Sequence, residues 1–340
     1  MSERFLRACR RQPVDATPVW FMRQAGRSLP EYRAIRERAG LVEITRDAAL
    51  CAEVTLQPVR RLGVDAAIIF ADIATPLAGL GVGVEIVDGV GPVIDRPIRT
   101  AADVDRLAPF EPAAAVGPLL EAIRLVRRAS PVPLIGFAGA PFTLASYLVE
   151  GRSSRDATRL KTFLHAEPAA ADRLLAALVE MTLAYLGAQV AAGAQAVQVF
   201  DSWIGTLSPF DYRAAIAPHM TRLFAGLAAL DVPTVHFGTG AAGIVADMAA
   251  AGGDVIGLDH RVDLGDAWAA LPGRAVQGNL DPALLLGPFE AVAIQARWIL
   301  ARAGGQPGHI FNLGHGVLPE TDPDHLRALV DLVHGASGAS

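Results

Sequence analysis

Short apolar runs rich in Val, Ile and Phe alternate along this chain with longer Ala-, Leu- and Arg-rich stretches whose apolar residues recur at helical spacing. The short runs predict strands at residues 18–22, 65–70, 134–137, 196–200, 234–237, 255–258, 275–278 and 309–313. Helical periodicity between them covers residues 46–62, 116–129, 169–192, 211–230, 241–251 and 289–303. Strands alternating with helices mean βα units and a parallel sheet. Eight units over 340 residues favour a closed (β/α)8 TIM barrel, one domain spanning residues 1–340. A doubly wound open sheet is the competing α/β arrangement, but no G-x-G-x-x-G follows the first strand. Residues 80–99 break the alternation. They run at period two around Asp88-Gly89, which predicts a β-hairpin excursion that either caps a barrel end or covers the site. The tail from residue 335 to 340 is expected to fray.

In a parallel barrel the residues just after each strand form the functional face. After the first strand, in VWFMRQAGRSLPEY, come Arg23, Gln24, Ala25, Gly26 and Arg27. Two guanidinium forks around a glycine suit an anion, carboxylate or phosphate. Later strand ends contribute Asp72, then Gly139, Pro141 and Tyr147, then Asp201 and Ser202. His236, Gly238, Asp259, His260, Asn279 and His315 complete the set, with Phe70, Ile73, Phe200 and Phe237 as apolar neighbours. That mixture describes a largely apolar ligand pocket with a few placed polar groups. Each residue also has a plain structural use. Asp72 and Ser202 suit helix caps, Tyr147 a core aromatic and His315 a turn between glycines. Their concurrence at predicted strand ends favours a site.

Composition narrows the chemistry. Hydrophobic residues make up 52% and charged residues 19%, enough for a large core. The net charge of −5 and the absence of a basic block leave nucleic acid without an electrostatic footprint. Lys161 is the only lysine and sits in a polar helical stretch, so Schiff-base chemistry is rejected. Cys9 and Cys51 lie far apart in helical segments, giving neither a zinc pattern nor a disulfide framework. No signal-peptide core is evident at the N-terminus, and no apolar run is expected to span a membrane. A cytoplasmic, soluble protein is the expectation.

VWFMRQAGRSLPEYR and GFAGAPFTLASYLVEG resemble the two signatures of the uroporphyrinogen decarboxylase family, and FADI, FDSWIG, QGNLDP and FNLGHGVLPET resemble further family motifs in the same order. The resemblance runs from about Phe5 to His334. It implies a single-domain (β/α)8 barrel, usually a homodimer, that needs no cofactor and no metal. The implied substrate is uroporphyrinogen III, whose four acetate side chains are decarboxylated to give coproporphyrinogen III in heme and porphyrin synthesis. By motif, the resemblance places the substrate-binding arginine loop on Arg23, Gln24, Ala25, Gly26 and Arg27. It places the essential aspartate on Asp72, the tyrosine on Tyr147, the serine on Ser202 and the histidine on His315. Asp72, Arg23, Tyr147 and His315 are then the expected catalytic set. Ser28, Ala71 and His260 depart from the usual family residues and bear on pocket shape. Two other readings compete, a zinc-dependent methyltransferase on a similar barrel and a non-catalytic tetrapyrrole-binding barrel.

Overall fold

The computed structural model describes residues 3–87 and 89–337. Its strands are β1 (Ala67–Ile68), β2 (Val84–Val87), β3 (Gly91–Ile94), β4 (Leu134–Gly139), β5 (Ala196–Asp201), β6 (Thr234–Gly238), β7 (Val255–Gly257), β8 (Ala275–Leu280) and β9 (His309–Leu313). Seven of them form one curled parallel sheet in the order β1-β4-β5-β6-β7-β8-β9. Its register pairs Ile68 with Ile135, Phe200 with Phe237 and Asn279 with Asn312. Strands β4, β6, β8 and β9 are buried along their whole length, as a parallel sheet covered on both faces requires. Strands β2 and β3 pair separately and antiparallel. Asp88, half of the expected turn dipeptide, lies outside the described residues, as do residues 338–340 of the expected frayed tail. The rest of that tail, residues 335–337, is instead the end of the helix Pro323–Ser337.

The first expected strand is mostly not a strand. Within residues 18–22 only Val19 bridges to Phe311. The reason is competition for backbone donors. Gln24 Oε1 accepts from Phe21 N at 2.9 Å and Asn312 Oδ1 from Met22 N at 3.1 Å, taking bonds a strand neighbour would make. The segment still touches both sheet edges. Phe311 N donates to Pro18 O at 2.8 Å, and Asp65 N, just before β1, donates to Val19 O at 2.7 Å. Similarly, the expected strand 65–70 shortens to β1 because Phe70 N turns to Thr55 Oγ1 at 3.0 Å.

Helices pack outside the sheet. The helix Ala48–Leu62 starts where Asp47 accepts from Leu50 N at 3.0 Å, two residues later than periodicity indicates. The region 211–230 divides into a π-helical turn, Tyr212–Ile216, and the helix Ala217–Ala228. One helix, Pro168–Ala192, is long and apolar enough to cross a membrane, contrary to expectation. Its apolar surface packs against the helices Pro112–Ala129, Pro141–Glu150 and Ala217–Ala228. Inside the sheet, Trp20 Nε1 donates to Gln277 Oε1 at 2.9 Å and Gln277 Nε2 to Gln198 Oε1 at 3.1 Å. At the opposite end from the strand tips, buried Asp65 ties three segments together. It accepts from Val19 N at 2.8 Å and Arg4 Nη1 at 2.7 Å, and meets His334 Nε2 at 2.7 Å.

Candidate active site

The carboxyl ends of the strands open onto a cavity of about 560 Å³. Its apolar floor is a row of rings from adjacent strands. Phe137 and Phe200 meet edge to face at 5.5 Å, and Phe200 and Phe237 at 5.9 Å. Strand alternation explains the row, since Phe237 points inward while its neighbour His236 points out. His236 is therefore not a site residue. It is fully buried against Phe224, 4.7 Å between rings.

The arginine loop is built under backbone tension. Arg23 and Arg27 both adopt left-handed backbone, with φ of 61° and 38°, around Gly26 at 110°. Side-chain-bearing residues reach that region at a cost, and such outliers concentrate at functional sites. The surroundings hold them there. Val317 N donates to Met22 O at 2.9 Å, and Arg33 Nη2 reaches Pro319 O at 2.6 Å. Gly316 leaves room for the Arg23 stem, because a Cβ there would lie 2.4 Å from Arg23 Cδ. Neither guanidinium has a hydrogen-bond or ion-pair partner among the described residues. Burial, followed by the charge of Arg23, lowers the Arg27 pKa. Gln24 departs from its expected role. Its side chain points away from the cavity, Nε2 donating to Ala66 O just before β1 at 2.8 Å, and serves as a brace.

Asp72 lies across the cavity from this loop. Oδ1 accepts from Ala74 N at 2.8 Å, closing a local turn, but the aspartate does not cap the helical turn Thr75–Leu80, whose N-cap is Ala74. Its other oxygen has no hydrogen-bond partner among the described residues. Burial raises the Asp72 pKa, against the Ala74 N–H and the charges of Arg23 and Arg27. Tyr147, from the helix Pro141–Glu150, is buried with its pKa raised first by burial, so the phenol keeps its proton. Trp203 stands edge-on to it at 6.3 Å. A buried relay positions that indole. Thr143 Oγ1 donates to Asp201 Oδ1 at 2.8 Å and accepts from Trp203 N at 3.3 Å. Burial raises the Asp201 pKa to about 7. His315 faces the cavity mouth. Crowding by the protein, then the proximity of Arg23 and the other basic side chains at the site, lowers its pKa to about 4, leaving a neutral imidazole.

Arg23, Ala25, Gly26, Arg27, Asp72, Tyr147, Ser202 and His315 thus line one cavity. The hairpin joins them. Ile86, Val87, Val90 and Pro92 form part of the wall, and Ile94 N is tied to Gly151 O at 2.8 Å. Asn279 lies outside, its amide donating to Asp259 O at 2.8 Å and Val262 O at 2.7 Å. Sequence reasoning missed Trp203, Arg155 and Arg261, which line an adjoining chamber. Trp203 and Arg261 directly follow Ser202 and His260, so reading one residue further finds them. Arg155 sits in the polar break GRSSR after a helix, where no strand points to it. Cys9 and Cys51 are buried in helices, with Cys51 Sγ donating to Phe70 O at 3.2 Å, so neither meets His236 at the cavity.

Comparison with known proteins places this geometry. The family described as uroporphyrinogen decarboxylase (URO-D) matches residues 1–336. A uroporphyrinogen decarboxylase of Thermus thermophilus is 53% identical over 333 residues, 98% of each chain. That of Sorangium cellulosum is 51% identical over 343 residues, covering 100% of this chain and 98% of its own. In fold, a methyltransferase from Methanosarcina mazei superposes with a TM-score of 0.82 at 20% identity over 97% of each chain. With a family match along nearly its whole length and relatives more than half identical, this chain belongs to the uroporphyrinogen decarboxylase family.

Proposed function

We propose that this protein decarboxylates the four acetate side chains of uroporphyrinogen III, giving coproporphyrinogen III in heme and porphyrin synthesis. The observation that carries the reading is one half-engaged carboxylate, Asp72, set across an apolar-floored cavity from two unpaired arginines. A reduced tetrapyrrole matches both features. Its pyrrole N–H groups converge on one acceptor, and its rim carries carboxylates. The free oxygen of Asp72 accepts those N–H groups, which satisfies a carboxylate that burial otherwise disfavours. Its charge then stabilises the cation formed when a proton adds to the ring α-carbon beside the acetate-bearing carbon. The protonated ring takes up the electron pair left as carbon dioxide departs, giving an exocyclic methylene. A second proton adds to that methylene carbon to make the methyl group, and loss of the first proton from the α-carbon restores aromaticity. The pyrrole is its own electron sink, so this reading calls for no cofactor and no metal.

Arg23 and Arg27 clamp carboxylates in this reading, and Tyr147 and Ser202 offer hydroxyl donors. Arg23 is a clamp first, because guanidinium rarely releases a proton. His315, neutral and at the mouth, suits accepting or passing one. Three further parts belong to the proposal. The curled sheet with residues 18–22 between its edges reads as a closed (β/α)8 barrel, supported by backbone bonds on both sides of Val19. The active unit is read as a homodimer and its location as cytoplasmic, both on family likeness. The deciding experiment is anaerobic incubation with chemically reduced uroporphyrinogen III, separating products by carboxyl number. Stepwise appearance of seven-, six-, five- and four-carboxyl products is expected. Unchanged eight-carboxyl substrate would sink the reading.

A further inference from the structure

The cavity has a second chamber. About 470 Å³ in volume, it shares Arg23, Ile73, Tyr147, Ser202, Trp203 and His315 with the first, and Asp72 does not line it. Its own polar groups are Arg155, Asp259, His260 and Arg261. Arg155 has no hydrogen-bond or ion-pair partner among the described residues. The Arg261 guanidinium approaches Asp259 no closer than 3.8 Å, while Asp259 is already engaged by Gly240 N and by Arg261 N at 2.9 Å. The buried Nδ1 of His260 has no partner. With Arg23, three guanidiniums face a chamber containing one satisfied carboxylate.

Resting on the decarboxylase reading, we propose that Arg155, His260 and Arg261 bind carboxylates that the reaction leaves in place. By doing so they fix which acetate faces Asp72. The physical argument is about charge flow. A carboxylate leaving as carbon dioxide gives up its charge to the ring. An arginine paired to it stabilises the ground state more than the transition state. The departing group is therefore best placed over the phenylalanine floor. Guanidiniums away from Asp72 are best used on carboxylates that keep their charge. A chamber that holds retained groups binds substrate and product alike.

That symmetry is the test. Arg155→Gln and Arg261→Gln are each expected to raise KM for reduced uroporphyrinogen about tenfold, the scale of one lost charged hydrogen-bonding partner. Each is expected to weaken inhibition by coproporphyrinogen by a similar factor, with kcat within about twofold of wild type. Arg155→Lys and Arg261→Lys should recover part of both affinities. Both arginine side chains are solvent-accessible, so thermal midpoints should be unchanged, and measuring them separates binding from folding. Unaltered KM and product inhibition would overturn the proposal. So would a fall in kcat with substrate and product affinity preserved, because the arginines would then serve the departing group. Absence of turnover by the wild-type protein would instead remove the decarboxylase reading, and this inference with it.

Discussion

Arg23 and Arg27 show how one residue can be costly to fold and still be kept. Left-handed backbone at non-glycine residues costs of order 1 kcal/mol or more each. The structure around them supplies compensation, through Gly316 beneath Arg23 and the carbonyl anchors of Arg33. Gly316→Ala should push Arg23 off its track and raise KM for the tetrapyrrole about tenfold while the fold survives, as steady-state kinetics beside a thermal melt would show. Asp72 carries the sharper prediction. Asp72→Asn keeps its turn-closing oxygen but loses the charge, so kcat should fall by about 10²–10³, the scale of a lost preorganised electrostatic contact. In the proposed reaction the working form is the carboxylate. Since burial raises its pKa, activity should fail on acidification at a pH above the ordinary carboxylate range, and that acid limb should disappear from the residual activity of Asp72→Asn. Arg23, Arg27 and Asp72 were legible in the sequence because polar residues after an apolar run are conspicuous. Gln24 and His236 were misread for one reason. Sequence position places a residue at the site, but only side-chain direction decides whether it faces ligand or wall.

At the scale of elements, the outward faces of the strands hold their own titration. His236 on β6 and His309 on β9 are buried, and burial lowers each pKa to about 4 from the ordinary 6.5. The unfolded chain takes up protons below pH 6.5 that the folded strands refuse until about pH 4. Stability is therefore full above about 6.5 and falls through that window, by up to about 3 kcal/mol for each histidine. Asp201 at the tip of β5 works in the opposite sense, since its raised pKa makes its contribution fade as pH rises through about 7. Thermal midpoints measured from pH 7 to 4 should drop, and His309→Gln should drop less because one of the two titrating rings is gone. Strands such as β4, β5 and β9 were readable as short, mostly apolar runs between helical patterns. Residues 18–22 showed the same composition and became a single bridge, because the side-chain carbonyls of Gln24 and the distant Asn312 take its backbone N–H groups. Composition cannot report that competition. The hairpin was visible in period-two alternation, whereas its place in the cavity wall depends on Ile94 meeting Gly151, a contact no local pattern encodes.

For the molecule as a whole, the base is organised by Asp65, which joins Arg4 near the start, Val19 in the bridging segment and His334 near the end. Removing that carboxylate leaves the Val19 N–H without its acceptor and Arg4 with Asp15 alone. Asp65→Ala is expected to cost about 1–3 kcal/mol, seen as a lower denaturant midpoint, with KM little affected because the site lies at the other end of the strands. The bridge between residues 18–22 and β9 has a consequence for how the protein is made. Met22 and the Asn312 side chain that holds it are 290 residues apart in the chain. During synthesis the ribosome delivers the arginine loop almost first and its anchor almost last. A nascent chain halted before β9 has most of its sheet and Asp72 already made, yet the arginine loop lacks its anchors at Asn312, Val317 and Pro319. Competence for a polyanionic substrate therefore arrives with the final strand, and a truncated chain is left without a placed clamp.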